Sequence, residues 1–204
     1  AGNPAMSGTR LLLAALMLAP VCFSGCSSGP SGAIAKKSER DPRVSGVVVV
    51  RSYDDEFKID GKDVPVHVEY AWDYGRAVAI ERITDLTSQS TTVIDQPELT
   101  LNLTDGEEAY AFELAKAHPD LKDQIARADH LYGGFSYREA EDPACYHGSR
   151  CVHVMASTTS PAGDGWRKVV HAIVDLQAAV VVHPHYDDGK TEPFATSELR
   201  AKGK

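Results

Sequence analysis

Five of the chain's eight histidines fall in its carboxy-terminal third: His147, His153, His171, His183 and His185. Neutral imidazole is the commonest transition-metal ligand, and His183-Pro184-His185 sets two rings on one face of a strand that runs through the proline. A hairpin between Ser157 and Trp166 places His171 opposite Cys151 or Val152, and a second about Ala178 brings His185 alongside His171. Three imidazoles so gathered suit Zn or Cu, with His171, His183 and His185 as the expected ligands and His153 in reserve. The plainer reading competes with this one: exposed strand faces often carry solvated histidine, and Pro184 is able to break the strand. Asp187-Asp188 beside them suits general acid–base work or a hard cation, and equally a solvated turn.

Cys145 and Cys151 lie close together in the same region. A lone pair at short spacing predicts a disulfide closing a small loop, with two free thiols or a metal site shared with His147 and His153 as the alternatives. The spacing is not Cys-x-x-Cys, so it gives no support to thioredoxin-like redox work. No Gly-x-Ser-x-Gly elbow, phosphate-binding glycine loop or His-Glu-x-x-His pair occurs in the folded region. Those are the local signatures of common hydrolases, nucleotide enzymes and zinc proteases. No catalytic residue is therefore singled out.

Strands must position these groups. Val64, Val66, Val68, Tyr70 and Trp72 alternate with Pro65, His67, Glu69, Ala71 and Asp73, which places the two sets on opposite faces of one strand. Pro65 marks a strand start or an edge. Asp73-Tyr74-Gly75 predicts a turn, and residues 76–86 return with Tyr70 opposite Val78 and Val68 opposite Ile80. Tyr70 and Trp72 read as core, with a ligand-stacking face as the alternative. Val47-Val48-Val49-Val50 predicts a strand buried on both faces, and 91–94 and 99–103 predict two short ones.

Thr104-Asp105-Gly106-Glu107 has the capping-box pattern, with Ala109, Phe112, Leu114 and Ala115 as the apolar stripe of a helix reaching Ala117. Glu107 and Glu108 favour the positive end of its dipole. A second short helix is expected from Pro119 through Ile125 to about Ala128, and Gly133-Gly134 closes the helical region. Strands follow at 135–139, 150–157, 166–176 and 180–185. Along 166–176 the even positions are mostly apolar, and Arg167, His171 and Asp175 on the odd ones face something wetter. The expected fold class is α+β, antiparallel strands packed around one helical segment.

The amino-terminal region carries a different message. Arg10 precedes an apolar run of about 13 residues, short of the roughly 20 that span a bilayer. Small residues and Cys26 follow, which together make an export signal. Phe23-Ser24-Gly25-Cys26 resembles the lipobox of bacterial lipoproteins, with Phe23 where leucine is usual. The resemblance implies cleavage before Cys26, a diacylglyceryl group on its sulfur and acylation, typically palmitate, of the new amino terminus. Residues 1–25 are then a signal peptide, with Met6 the expected initiator and 1–5 foreign to it. Residues 26–42 read as a flexible tether, too polar to bury a face. One domain is expected over 43–195, with a sub-boundary near 97, and a disordered tail over 196–204.

Charge narrows the partners. The chain holds 21 basic and 29 acidic residues, net −8. That balance offers no electrostatic route to nucleic acid and is repelled by anionic lipid, so the membrane contact falls to the acyl chains.

The segment from about 99 to 186, with Val174-Asp175-Leu176 turning into Val180-Val181-Val182, is similar to the cystatin-like accessory units of copper amine oxidases. It also resembles small envelope domains of the PepSY type in layout. The likeness implies a curved sheet wrapping a helix, used for packing or binding, and transfers no catalytic residue. The sequence thus leads to a non-catalytic, lipid-anchored envelope protein that binds an envelope protein or a small ligand. Ser27 after the lipidated cysteine favours the outer membrane, facing the periplasm. The alternatives are a periplasmic Zn- or Cu-binding protein and an envelope hydrolase whose site has no local signature.

Overall fold

The computed structural model describes residues 41–187 and 189–200. The expected signal peptide, the expected lipobox with Cys26, most of the expected tether, Asp188 and the last four residues lie outside this range. Among the described residues no helix is long and apolar enough to cross a membrane. The structure is mostly sheet: two antiparallel four-stranded meanders, with few helices.

The tether ends sooner than its composition suggests. Asp41 is buried, and its carboxylate accepts hydrogen bonds from the Arg43 amide at 3.0 Å and the Arg43 guanidinium at 2.8 Å. This caps a single 3-10 turn, Pro42–Val44. The first sheet then runs β1 (Val47–Ile59), β2 (Lys62–Asp73), β3 (Val78–Asp85) and β4 (Thr91–Asp95). Asp60-Gly61 joins β1 to β2 with φ of 51° and 78°, the two-residue turn that matches strand twist. The tetravaline does not lie between layers: β1 pairs only with β2 among the described strands, and Val49 remains 38% exposed.

The β2–β3 register differs from the expected one. Asp73 pairs with Val78, Tyr70 with Glu81 and Val68 with Ile83. The Asp73 carboxylate accepts from the amides of Gly75 and Arg76 at 2.9 and 3.1 Å, and Ala77 takes φ 53°, so the turn is four residues long. Tyr70 is half-buried, donating to Glu81 at 2.9 Å and stacking on Tyr53, whereas Trp72 is in the core.

Residues 99–103 form no strand and join no ladder. Their carbonyls serve side chains instead: Leu101 O accepts from Arg150 at 2.8 Å and Ser136 at 2.7 Å, and Asn102 O accepts from Arg150 at 2.6 Å. Helix α1 (Asp105–Ala117) follows, opened by the complete capping box of Thr104 and Glu107. Its Tyr110, Ala111 and Ala115 pack on Val152, Val154, Val170, Ala172 and Val174. Trp72, Tyr74 and Ala79 of the first sheet join the same core. A single turn, α2 (Lys122–Ile125), completes the helical segment.

The second sheet is β5 (His130–Ser136), β6 (Cys151–Thr159), β7 (Trp166–Asp175) and β8 (Val180–His183), in that order. Gly133 and Gly134 do not end a helix; they lie inside β5. A Cβ on Gly133 would stand 2.2 Å from the His153 carbonyl oxygen, and Gly134 takes φ 79°, so this is a close approach beside a bulge. Strand β7 is buried on both faces. Val170, Ala172 and Val174 face the core, while Val169, His171, Ile173 and Asp175 are at most 6% exposed. His171 and Asp175 are therefore dry, on a face where the disulfide, Tyr137, Val182 and Tyr186 pack around Ile173, whereas Arg167 stays partly exposed. The tail expected from residue 196 begins with a helical turn, α3 (Thr196–Arg200).

Glu107 does more than favour the helix dipole. It is 1% exposed, and its carboxylate meets the guanidinium of Arg150 at 3.0 and 3.2 Å, the Tyr74 hydroxyl at 2.7 Å and the Thr104 amide at 2.9 Å. Arg150 also lies over the Trp72 ring, 5.5 Å from its centroid. One buried ion pair thus links a turn of the first sheet, the start of α1 and the start of β6.

Candidate functional site

Strand alternation turns His153 of β6 and His171 of β7 away from α1. His171 pairs directly with Met155, and His153 with Ile173, so the two rings meet on the diagonal. His153 Nδ1 stands 2.9 Å from His171 Nε2, and Lys168 Nζ stands 3.5 Å from His171 Nδ1. The 2.9 Å contact holds one hydrogen between two nitrogens: one imidazole donates and the other accepts. Tyr186 closes over both rings, with centroids 4.8 Å from His171 and 5.8 Å from His153. It is held there by its amide, which donates to the His171 carbonyl at 2.8 Å. Tyr137 meets His153 edge-on at 5.3 Å and Tyr186 at 5.4 Å.

His183 belongs to a neighbouring group. Its Nε2 lies 2.6 Å from the Asp142 carboxylate, which also accepts from the Tyr137 hydroxyl at 3.1 Å and the Ala144 amide at 3.0 Å. Burial works against the charge of Asp142, yet the bonds from His183, Ala144 and Tyr137 prevail and hold its pKa below the usual range. Burial, then the Asp142 carboxylate, raises the Tyr137 pKa, so that phenol stays protonated and donates. Beneath this group Cys145 and Cys151 are bonded, with sulfurs 2.11 Å apart, and both are buried against Ile173. Donor atoms of Asp142, Cys145 and His183 all lie within 4.8 Å of one another.

A cleft of about 310 Å³ opens beside His171, lined by Leu121, Gln124, Val169, His171, His185 and Tyr186 among others. Ligand pockets run from roughly 300 to 1,000 Å³, so a small molecule fits this one. The walls are mostly apolar, and the polar groups are the imidazoles, the Tyr186 phenol, the Gln124 amide, the Asp187 carboxylate and the Thr191 hydroxyl.

The expected histidines are thus divided. His171 and His185 share the cleft wall, His171 bonds to the reserve residue His153, and His183 turns to Asp142. Pro184 separates the two destinations by ending β8. Asp187 lines the cleft too, and its neighbour Asp188 is outside the described residues. Sequence reasoning missed Tyr137, Asp142 and Lys168. Asp142-Pro143 was a visible turn signal, but its meeting with His183 depends on the loop that the cysteines close.

No protein-family model matches this chain, and no curated protein matches it.

Proposed function

We propose that this chain is an exported, lipid-anchored envelope protein whose folded part binds a small ligand in the cleft beside His171, His185 and Tyr186. The cleft is the observation that carries the reading. It sits on a sheet whose central strand is packed on both faces, and a ligand site on rigid elements keeps its geometry. The apolar signal run and the lipobox support export and acylation at Cys26, and a disulfide pair is at home in an oxidising compartment. Helix α1 packed against the β5–β8 meander supports the likeness to cystatin-like accessory units, which bind or pack. The outer membrane, facing the periplasm, is the proposed station, and an envelope protein is the proposed partner.

The contact between His153 and His171, with His185 on the same cleft, favours a second reading: Zn or Cu binding. One experiment separates the two and tests the anchor. Wild type and Cys26→Ala are fractionated, and the purified wild-type chain is then titrated in detergent with a library of small polar organics and, separately, with Zn and Cu. A signal from Cys26→Ala that stays as firmly in the membrane as wild type refutes acyl anchoring. Chemical-shift changes from an organic probe centred on His171, His185 and Tyr186 support the ligand reading. Saturable metal binding lost in His171→Ala and His185→Ala replaces it with the second. No saturable response at the cleft overturns both.

A further inference from the structure

The group around Asp142 contains more than a hydrogen-bonded pair. A carboxylate, an imidazole and the Cys145 sulfur converge where the loop between β5 and β6 meets β8, and these three donors already lie within 4.8 Å of one another. Ligands around one tetrahedral zinc stand about 3.2–3.8 Å apart, given Zn–N and Zn–O near 2.0–2.2 Å and Zn–S near 2.3 Å. Cys151 is the fourth donor by its bond to Cys145. While that bond exists neither sulfur is a thiolate, and the set has no soft ligand to offer.

We propose that the disulfide is the closed form of a zinc-type metal site, and that the dithiol form binds one ion through Cys145, Cys151, Asp142 and His183. A dithiol reductant opens the site. The Cys145–Cys151 bond breaks, the reductant's two thiols become a disulfide, and its two electrons and two protons leave Cys145 and Cys151 as thiols. The ion then displaces both thiol protons to solvent. His183 frees Nε2 by carrying its hydrogen on Nδ1, and the metal takes the place of the hydrogen now shared with Asp142.

Two further observations fit this assignment. The supporting bonds of a metal site are present: the Tyr137 hydroxyl and the Ala144 amide donate to Asp142 at 3.1 and 3.0 Å, and orient the carboxylate without using its contact to His183 exclusively. Such outer contacts are a regular part of metal sites. There is also a way in. The sulfurs are buried, but the His183 side chain is 37% exposed and that of Asp142 is 14% exposed, so an ion enters from the β8 side. The site differs from the histidine reading above, which needs no thiol.

The test uses the purified full chain, oxidised or reduced with a dithiol and kept anaerobic, titrated with Co²⁺ and then displaced with Zn²⁺. The reduced chain is expected to take one ion with thiolate-to-cobalt charge-transfer absorption, and the oxidised chain to show none. Affinity falls about 10- to 100-fold in Tyr137→Phe, an outer contact, and further in Cys145→Ser, His183→Ala and Asp142→Asn, which remove ligands, while His171→Ala leaves it unchanged. Far-UV circular dichroism follows the fold. A reduced chain that loses structure and regains it with Zn²⁺ supports the site, and one that stays unfolded in metal overturns it. The proposal also fails if the reduced chain shows no thiolate band, or if the band is indifferent to both His183→Ala and Asp142→Asn.

Discussion

Arg150→Met is the substitution whose cost is best defined by the structure. Arg150 is 5% exposed and makes four close bonds through its guanidinium: two to Glu107, one to Leu101 O and one to Asn102 O. Methionine fills much of the volume but leaves the Glu107 carboxylate buried without its cation. Breaking a buried pair on one side costs about 3–5 kcal/mol. Glu107 retains the Tyr74 hydroxyl and the Thr104 amide, and Leu101 O retains Ser136, which points to the lower half of that range. Asn102 O loses the Arg150 bond, but Asn102 is exposed, so water replaces that donor at little cost. The expected cost is therefore about 3–4 kcal/mol. For a folded part of this size, about 2–4 °C of Tm accompanies each kcal/mol, so the expected drop is about 6–16 °C.

The assay is urea and thermal unfolding of wild type, Arg150→Met, Glu107→Gln and the double variant. Coupling should appear as a double variant less damaged than the sum of the singles, by about 1–3 kcal/mol. A loss below about 1 kcal/mol in Arg150→Met, or singles that add within about 0.5 kcal/mol, refutes the assignment of this pair as the link between the sheets and α1.

The remaining predictions concern acid and a glycine. Burial opposes the charge of Glu107, but the Arg150 bond and charge outweigh it and lower its pKa. Its stabilisation is therefore present above the unfolded value of about 4.3 and lost as pH falls through the lower folded value. In Arg150→Met burial prevails and the sign reverses, so the deficit against wild type should shrink in acid; unfolding free energies measured from pH 7 to 3 check this, and a constant deficit contradicts it. Gly133→Ala should cost more than about 2 kcal/mol, because a 2.2 Å approach to the His153 carbonyl forces backbone to move. It should also shift the His153 and His171 ring resonances, and a change under about 0.5 kcal/mol with unmoved rings would show that the strands simply slide apart.

Features written in adjacent residues were legible, and features requiring distant partners were not. The capping box is one: Thr104 and Glu107 lie a turn apart, and both of its bonds form as the pattern demands. What the pattern leaves out is that Glu107 meets Arg150, a residue from another element. The β1–β2 hairpin carried a strong local signal in Asp60-Gly61, but Asp54, Asp55 and Glu56 hide the strand before it by breaking the apolar alternation. The β2–β3 register turned on Ala77 at positive φ, a conformation that alanine does not announce. The segment 99–103 had strand composition but pairs with no strand, and the carbonyls of Leu101 and Asn102 serve Arg150 and Ser136 instead. His171 looked wet because its strand alternates; Tyr186, from the chain after β8, closes over it and makes it dry.

The two residues at the start of β6 explain how opening the loop and keeping the sheet are compatible. Arg150 and Cys151 are adjacent, so they point to opposite faces: Arg150 to Glu107 and the first sheet, Cys151 to Cys145 and the loop. The amide of Arg150 is held by Asp175 of β7 at 2.9 Å, and its side chain by four bonds on the inner face. None of those bonds involves sulfur. Reduction therefore releases the loop that carries Asp142 and Cys145 while Cys151 stays fixed on the sheet and His183 on β8. Two donors on rigid strands and two on a freed loop is an arrangement that lets the loop adjust to a metal's geometry. By the same reasoning Arg150→Met should make the reduced form the less tolerant one, since it removes the anchor that remains when the disulfide is gone.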